Sequence, residues 1–179
     1  RVMPLFAHNP ILRTPAAPVP IIAYPSLTCR HCASFPTDTL PEIKTKWIQP
    51  GRARLVMRHY PLDQLALRAA ALSECIQGDG FFGFINVLFA NQEQWAHSED
   101  PLKTVGQYAA LAGLTQDSVS ACLSDQGTLD RNLQRQTDGR DRYAIASTPS
   151  FVVNGTPVVG NRTYEEFNTI LEEAATKAS

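Results

Sequence analysis

A chain of 179 residues, 44% of them hydrophobic, is long enough to bury one substantial core, as a single domain or as a domain carrying a large insertion. Its formal charge of −1, with both signs scattered, leaves no electrostatic footprint for nucleic acid or for an anionic membrane. No stretch reaches the roughly 20 consecutive apolar residues of a membrane span, and four cysteines, an even number, are compatible with two disulfides and an oxidising compartment.

Residues 1–17 carry Pro4, Pro10 and Pro15 among small residues and read as an extended, Pro-rich arm. The chain starts at Arg1 without a Met or a signal-peptide pattern, as expected of a mature or trimmed form from which a targeting or anchor segment has been removed. Val19–Tyr24 is a short buried strand stopped by Pro25. After Cys29-Arg30-His31-Cys32 a helix is expected over Ala33–Ile48, bent by Pro36 and Pro41. Pro50-Gly51 turns the chain into a second strand, Arg54–Tyr60, ended by Pro61; strand, helical crossover and strand make a right-handed parallel βαβ unit.

From 63 to 143 the pattern is helical. Leu65, Leu72 and Cys75/Ile76 form one apolar stripe, and Phe81, Phe84, Ile85 and Leu88 another, closed by Trp95. Pro101 opens a helix ending near Gly113, and Thr115 opens the next. Arg131, Arg135, Arg140 and Arg142, mixed with Asp130, Asp138 and Asp141, read as a solvated helix face. Strands return as Ser150–Val153 and Pro157–Val159 around Asn154-Gly155, a type I′ hairpin signal. Thr163 caps a final helix with Glu165 and Glu166 in its first turn and Phe167, Ile170 and Leu171 facing inward. The organisation is therefore an arm (1–17), an α/β domain (18–62 and 144–179) and an inserted helical subdomain (63–143).

The chemistry gathers at Cys29 and Cys32. Two thiols spaced C-x-x-C where a strand turns into a helix can close into a disulfide without moving the backbone, which is the geometry of a redox switch. Cys29 falls at the helix N-terminus, where unpaired N–H groups and the macrodipole favour negative charge, with Arg30 and His31 beside it; such neighbours bring a thiol from about 8.5 into roughly the 3.5–7.5 range. Cys32, one turn on and facing inward, is expected to be the resolving thiol. Half a zinc site is the competing reading, but Cys75, Cys122, His8, His59 and His97 are isolated and no second C-x-x-C or H-x3-H exists. No metal and no cofactor is expected.

Ser26-Leu27-Thr28-Cys29-Arg30-His31-Cys32 after a first strand, a long helical insertion, and then Thr148-Pro149-Ser150-Phe151-Val152-Val153-Asn154-Gly155 before a terminal helix resemble the thioredoxin superfamily, and within it the bacterial DsbA-like thiol:disulfide oxidoreductases. The resemblance covers residues 10–175. It implies a thioredoxin fold, a mixed sheet flanked by helices with a large helical insertion. It further implies Cys29 as nucleophile, Cys32 as resolving cysteine, support from Arg30 and His31, and a cis Thr148–Pro149 bond facing the motif to present backbone to an extended substrate. Sequence alone would leave that bond trans. Two positions depart from the family: Arg30 stands where Pro is frequent, and Ala23 stands six residues before Cys29, where members commonly bury an acid that relays the resolving thiol's proton. Cys75 and Cys122, each placed by pattern on the apolar face of its own helix, are either plain buried thiols or a structural disulfide, and some DsbA-like proteins carry a second bridge.

The function this implies is donation of the Cys29–Cys32 disulfide to folding secreted proteins through a mixed disulfide, in the bacterial periplasm. The partners would be reduced or unfolded polypeptides and a membrane protein that re-oxidises the pair, with the chain itself a monomer. A disulfide isomerase or reductase of the same fold, and a non-enzymatic peptide-binding, chaperone-like module, are the alternatives.

Overall fold

A computed structural model describes residues 10–12, 16–78 and 80–178. Most of the expected arm lies outside the described residues; within it, Ile11–Leu12 form a two-residue strand, β1. The elements that follow are β2 (Val19–Tyr24), α1 (Arg30–Asp38), α2 (Leu40–Ile43), a π-helical turn over Lys44–Ile48 and β3 (Ala53–Met57). Next come α3 (Gln64–Ser73), α4 (Gly80–Ala90), α5 (Gln92–Ala96), α6 (Pro101–Leu111), α7 (Gln116–Leu123) and α8 (Gln126–Tyr143). The chain closes with β4 (Ser150–Val153), β5 (Thr156–Val159) and α9 (Tyr164–Ala178).

The sheet runs β1-β3-β2-β4-β5. β2 and β3 are parallel, with Ile21 opposite Leu55, and the other pairings are antiparallel. β2 is central and buried on both faces, which its run Val19-Pro20-Ile21-Ile22-Ala23-Tyr24 suits. Val19, Ile21, Ala23, Leu55, Phe151 and Val153 cover one face of the sheet and pack against Phe35, Trp47, Phe167 and Leu171 of the α1, π-turn and α9 layer. Ile22, Tyr24, Val56 and Val152 cover the other face with Tyr60 and Ile145. Helices α3 to α7 close around a separate apolar core of Leu72, Phe81, Phe84, Ile85, Leu88, Trp95, Val105 and Val119.

Several expectations are corrected. The single bent helix over 33–48 begins earlier, at Arg30, and breaks at Thr39, whose φ of −120° is not helical and whose hydroxyl donates to the Arg162 carbonyl. Pro36 is tolerated within α1, and Pro41 falls in the first turn of α2, where a missing N–H goes unused. β3 stops at Met57 instead of Tyr60 because its partner β2 ends at Pro25; Arg58 and Tyr60 still donate to the Ala23 and Pro25 carbonyls. Cys75 lies in the turn just past α3, not on a helix face. The solvated face assigned to α8 fails at Arg135, which is buried at 3% exposure and paired with the Glu74 carboxylate; an ion pair sequestered from water holds it there.

The ends of the elements follow local chemistry. Asn154 (φ 46°) and Gly155 (φ 87°) take the left-handed conformation at both central positions of the β4–β5 hairpin, as a type I′ turn requires. Thr163 Oγ1 accepts from the Glu166 N–H and the Glu166 carboxylate accepts from the Thr163 N–H, each at 3.2 Å, a reciprocal capping box at the start of α9. Cys75 and Cys122 Sγ atoms are bonded, tying the end of α3 to α7 across 47 positions.

Candidate redox site

The turn between β2 and α1 is held from three sides. The Ser26 hydroxyl accepts from the Leu62 N–H at 3.2 Å, and Thr28 Oγ1 donates to Asp63 Oδ2 at 2.8 Å while Asp63 Oδ1 caps α3 through the Ala66 N–H. From the insertion, buried Gln92 donates through Nε2 to the Leu27 and Cys29 carbonyls. From the loop after β5, Asn161 Nδ2 donates to the His31 carbonyl at 2.7 Å and to Ser34 Oγ at 2.8 Å. Asp63, Gln92 and Asn161 had no signature in the sequence, since each is an ordinary polar residue 30 to 130 positions from the motif it supports.

Cys29 occupies the N-cap of α1 in an extended conformation (φ −82°, ψ 121°), half-buried. Its main chain opens the helix, at the positive end of the macrodipole, without a side-chain capping bond. Cys32, within the first turn, is 1% exposed and belongs to the core of the helical insertion. Both are free thiols. Thr148–Pro149 is a cis peptide, and its loop reaches the motif: the Cys29 thiol donates to the Thr148 carbonyl at 3.6 Å, and the Gly160 N–H fixes the Pro149 carbonyl at 2.9 Å.

Burial pushes the Cys32 thiol up to about 12, helped by the neighbouring Cys29 thiol; the Ser26 N–H, 3.5 Å from the sulfur, and the Thr148 hydroxyl pull the other way and are outweighed. Ala23, where an acid was looked for, is buried in the sheet between Met57 and Phe151. The polar groups around Cys32 are thus hydrogen-bond donors, with no carboxylate among them. Arg30 and His31 are exposed, and the Arg30 guanidinium turns to Glu93 of α5, 3.1 Å away, which also faces His97 at 3.5 Å. The Arg30 guanidinium expected beside the Cys29 sulfur is therefore directed to a surface carboxylate instead.

Among the described residues no three His, Cys, Asp or Glu side chains gather as metal ligands. A cavity of about 840 Å3 between β1, Glu74, Phe81, Phe82 and Arg131 includes neither cysteine of the motif. The chemistry the arrangement supports is exchange at sulfur: a half-buried cysteine at a helix start, an occluded partner three residues on, and the Thr148 carbonyl of a cis-proline loop beside the first sulfur.

A thioredoxin family model matches residues 9–173, and the chain belongs to that family. Within the family it is DsbA-like. The α-DsbA1 structure of Wolbachia pipientis is 28% identical and superposes with a TM-score of 0.88, covering 99% of this chain and 94% of its own. A Rickettsia felis protein whose name proposes a protein-disulfide oxidoreductase is 27% identical over 93% of this chain and 60% of its own length. Disulfide bond formation protein D of Bacillus subtilis is 25% identical over 95% of this chain and 78% of its own. The chain thus spans about three fifths of the length of the rickettsial relatives it matches.

Proposed function

We propose that this chain is a thiol:disulfide oxidoreductase that donates the Cys29–Cys32 disulfide to reduced polypeptides outside the cytoplasm. Its relatives' names and the likeness to α-DsbA1 support the reaction class. The observation that carries the direction is the inequality of the two thiols.

A substrate thiolate attacks Cys29 Sγ, the sulfur within reach; the Cys29–Cys32 bond breaks, its electron pair goes to Cys32, and the proton released by the substrate thiol ends there. A second substrate thiolate then attacks the substrate sulfur of the mixed disulfide and expels Cys29 as a thiolate at the positive end of α1. The substrate gains a disulfide, and its two electrons rest on the dithiol. Burial holds the Cys32 thiol protonated at neutral pH, so its return attack on the mixed disulfide is slow and the forward transfer is favoured. A reductase or isomerase needs that return attack, and no carboxylate at Ala23 assists it. The Thr148 carbonyl, beside Cys29 Sγ, is the acceptor to which an extended substrate backbone would add.

Equilibration against glutathione, read together with denaturant unfolding of each redox form, tests the proposal. A donor leaves the dithiol form more stable than the disulfide form; a dithiol form of equal or lower stability would overturn the assignment. Cys29→Ser is expected to abolish transfer. Cys32→Ser is expected to accumulate mixed disulfides between Cys29 and substrate, visible as adducts on non-reducing gels.

A further inference from the structure

Gln92 reaches from the helical insertion into the active turn. It is 6% exposed at the start of α5, and its Nε2 donates to two carbonyls at once, Leu27 O at 2.7 Å and Cys29 O at 2.9 Å. The Cys29 carbonyl is the acceptor that opens α1, and its helical bond from the Ala33 N–H is long, 3.3 Å. Gln92 therefore takes the stronger share of that oxygen. The neighbouring Glu93 holds Arg30, and Trp95, fully buried one turn on, anchors α5 by donating to the Leu88 carbonyl at 2.7 Å.

We infer that Gln92 is a positioning residue of the redox centre, through which the helical insertion sets the balance between the Cys29–Cys32 dithiol and disulfide. The inference rests on the reading of that pair as the exchanging one. The Gln92 amide hydrogens bond the Leu27 and Cys29 carbonyls together and fix the main chain of Cys29 in the extended N-cap conformation it holds as a free thiol. That constraint favours the dithiol form, whose conformation it holds, over the disulfide. A residue that only braced the fold would stabilise the two redox forms alike.

The test is the equilibrium in which the oxidised protein and two glutathione thiols give the dithiol and one glutathione disulfide, measured for the wild type, Gln92→Met and Gln92→Glu, with denaturant unfolding of each redox form. Gln92→Met keeps the volume and removes both donors. Its equilibrium constant is expected to fall about three- to tenfold, the scale of losing one to two hydrogen bonds, with the dithiol form losing more stability than the disulfide form. Gln92→Glu sets a carboxylate against the same carbonyls and is expected to lower the constant further. Equal destabilisation of both redox forms, with a constant within twofold of wild type in both variants, overturns the inference while leaving the donor assignment intact. A wild type that does not exchange with glutathione at all overturns the donor assignment and this inference with it.

Discussion

Gly139 lies near the C-terminal end of α8 with its backbone against the Tyr24 ring, and a Cβ there would stand 2.8 Å from Tyr24 Cε1. The ring cannot swing away, since it is fully buried and its hydroxyl accepts from Arg58 at 3.2 Å. Alanine would gain about 1 kcal/mol of helix propensity, but overpacking of this kind costs typically 1–3 kcal/mol and more where backbone must shift. Gly139→Ala is therefore expected to be net destabilising, with a lower urea midpoint than wild type. A raised midpoint would show that the ring yields. His59 makes a second prediction. Burial foremost, and then the Arg135 guanidinium, lower it to about 3 from an ordinary 6.5, and its Nε2 lies 3.0 Å from Ser73 Oγ. The folded value lies below the unfolded one, so the unfolded chain binds the extra proton between them. The contribution of neutral His59 is complete above about pH 6.5 and is lost as pH falls toward 3. Urea midpoints between pH 7 and pH 4.5 should fall more steeply for wild type than for His59→Gln; parallel slopes would remove His59 from the account. At this scale the sequence disclosed the two thiols because they form a fixed, nameable spacing, while the cis Thr148–Pro149 bond was implied only by the family resemblance and would have been left trans from the residues alone. It did not disclose Gln92, Asn161 or buried Arg135, whose types are common on surfaces and whose partners are distant in the chain.

Elements divide along the same line. Where local chemistry decides, the reading from sequence and the structure agree: the extent of β2, the Asn154-Gly155 hairpin and the capping box at Thr163 all depend on residues within four positions of one another. Where tertiary contact decides, they part. Thr39 breaks the expected long helix through a bond to Arg162, and β3 ends early because β2 meets a proline. The Cys75–Cys122 bond belongs to this scale too, since it fastens the loose end of α3 to the short α7. In the chain-entropy account a closure of 47 positions contributes about 4 kcal/mol, so Cys75→Ala with Cys122→Ala should lower the unfolding free energy by something near that amount. Loss of less than 1 kcal/mol in chemical denaturation would mean that α3 and α7 are held by packing alone.

The core of the insertion reaches the sheet at the redox turn. Leu27, Cys32 and Met57, from the strand-and-helix layer, are counted among the buried residues of the insertion, while Trp47 reports the sheet side and Trp95 the insertion. Sharing residues across that boundary couples the two, and a chain of this kind should unfold in one cooperative step. Fluorescence of Trp47→Phe and of Trp95→Phe, each compared with far-ultraviolet circular dichroism of the same variant, should give coincident transitions. Separate midpoints would show two folding units. The α/β class, the insertion and the order of the parts were legible from periodicity and from the resemblance to DsbA-like proteins. The interlocking of the cores was not, because it depends on which side of a turn faces which helix.

That interlocking limits how far the protein can be dissected. Joining residue 62 directly to residue 144 would preserve strands β2 to β5, both cysteines and the cis-proline loop, and so every motif by which the chain is recognised. It would also remove Asp63 from beneath Thr28, Gln92 from the carbonyls of the turn, and the apolar side chains that wall Cys32 off from water. Such a miniature would keep the cysteines and lose the difference between them, leaving a pair of interchangeable thiols.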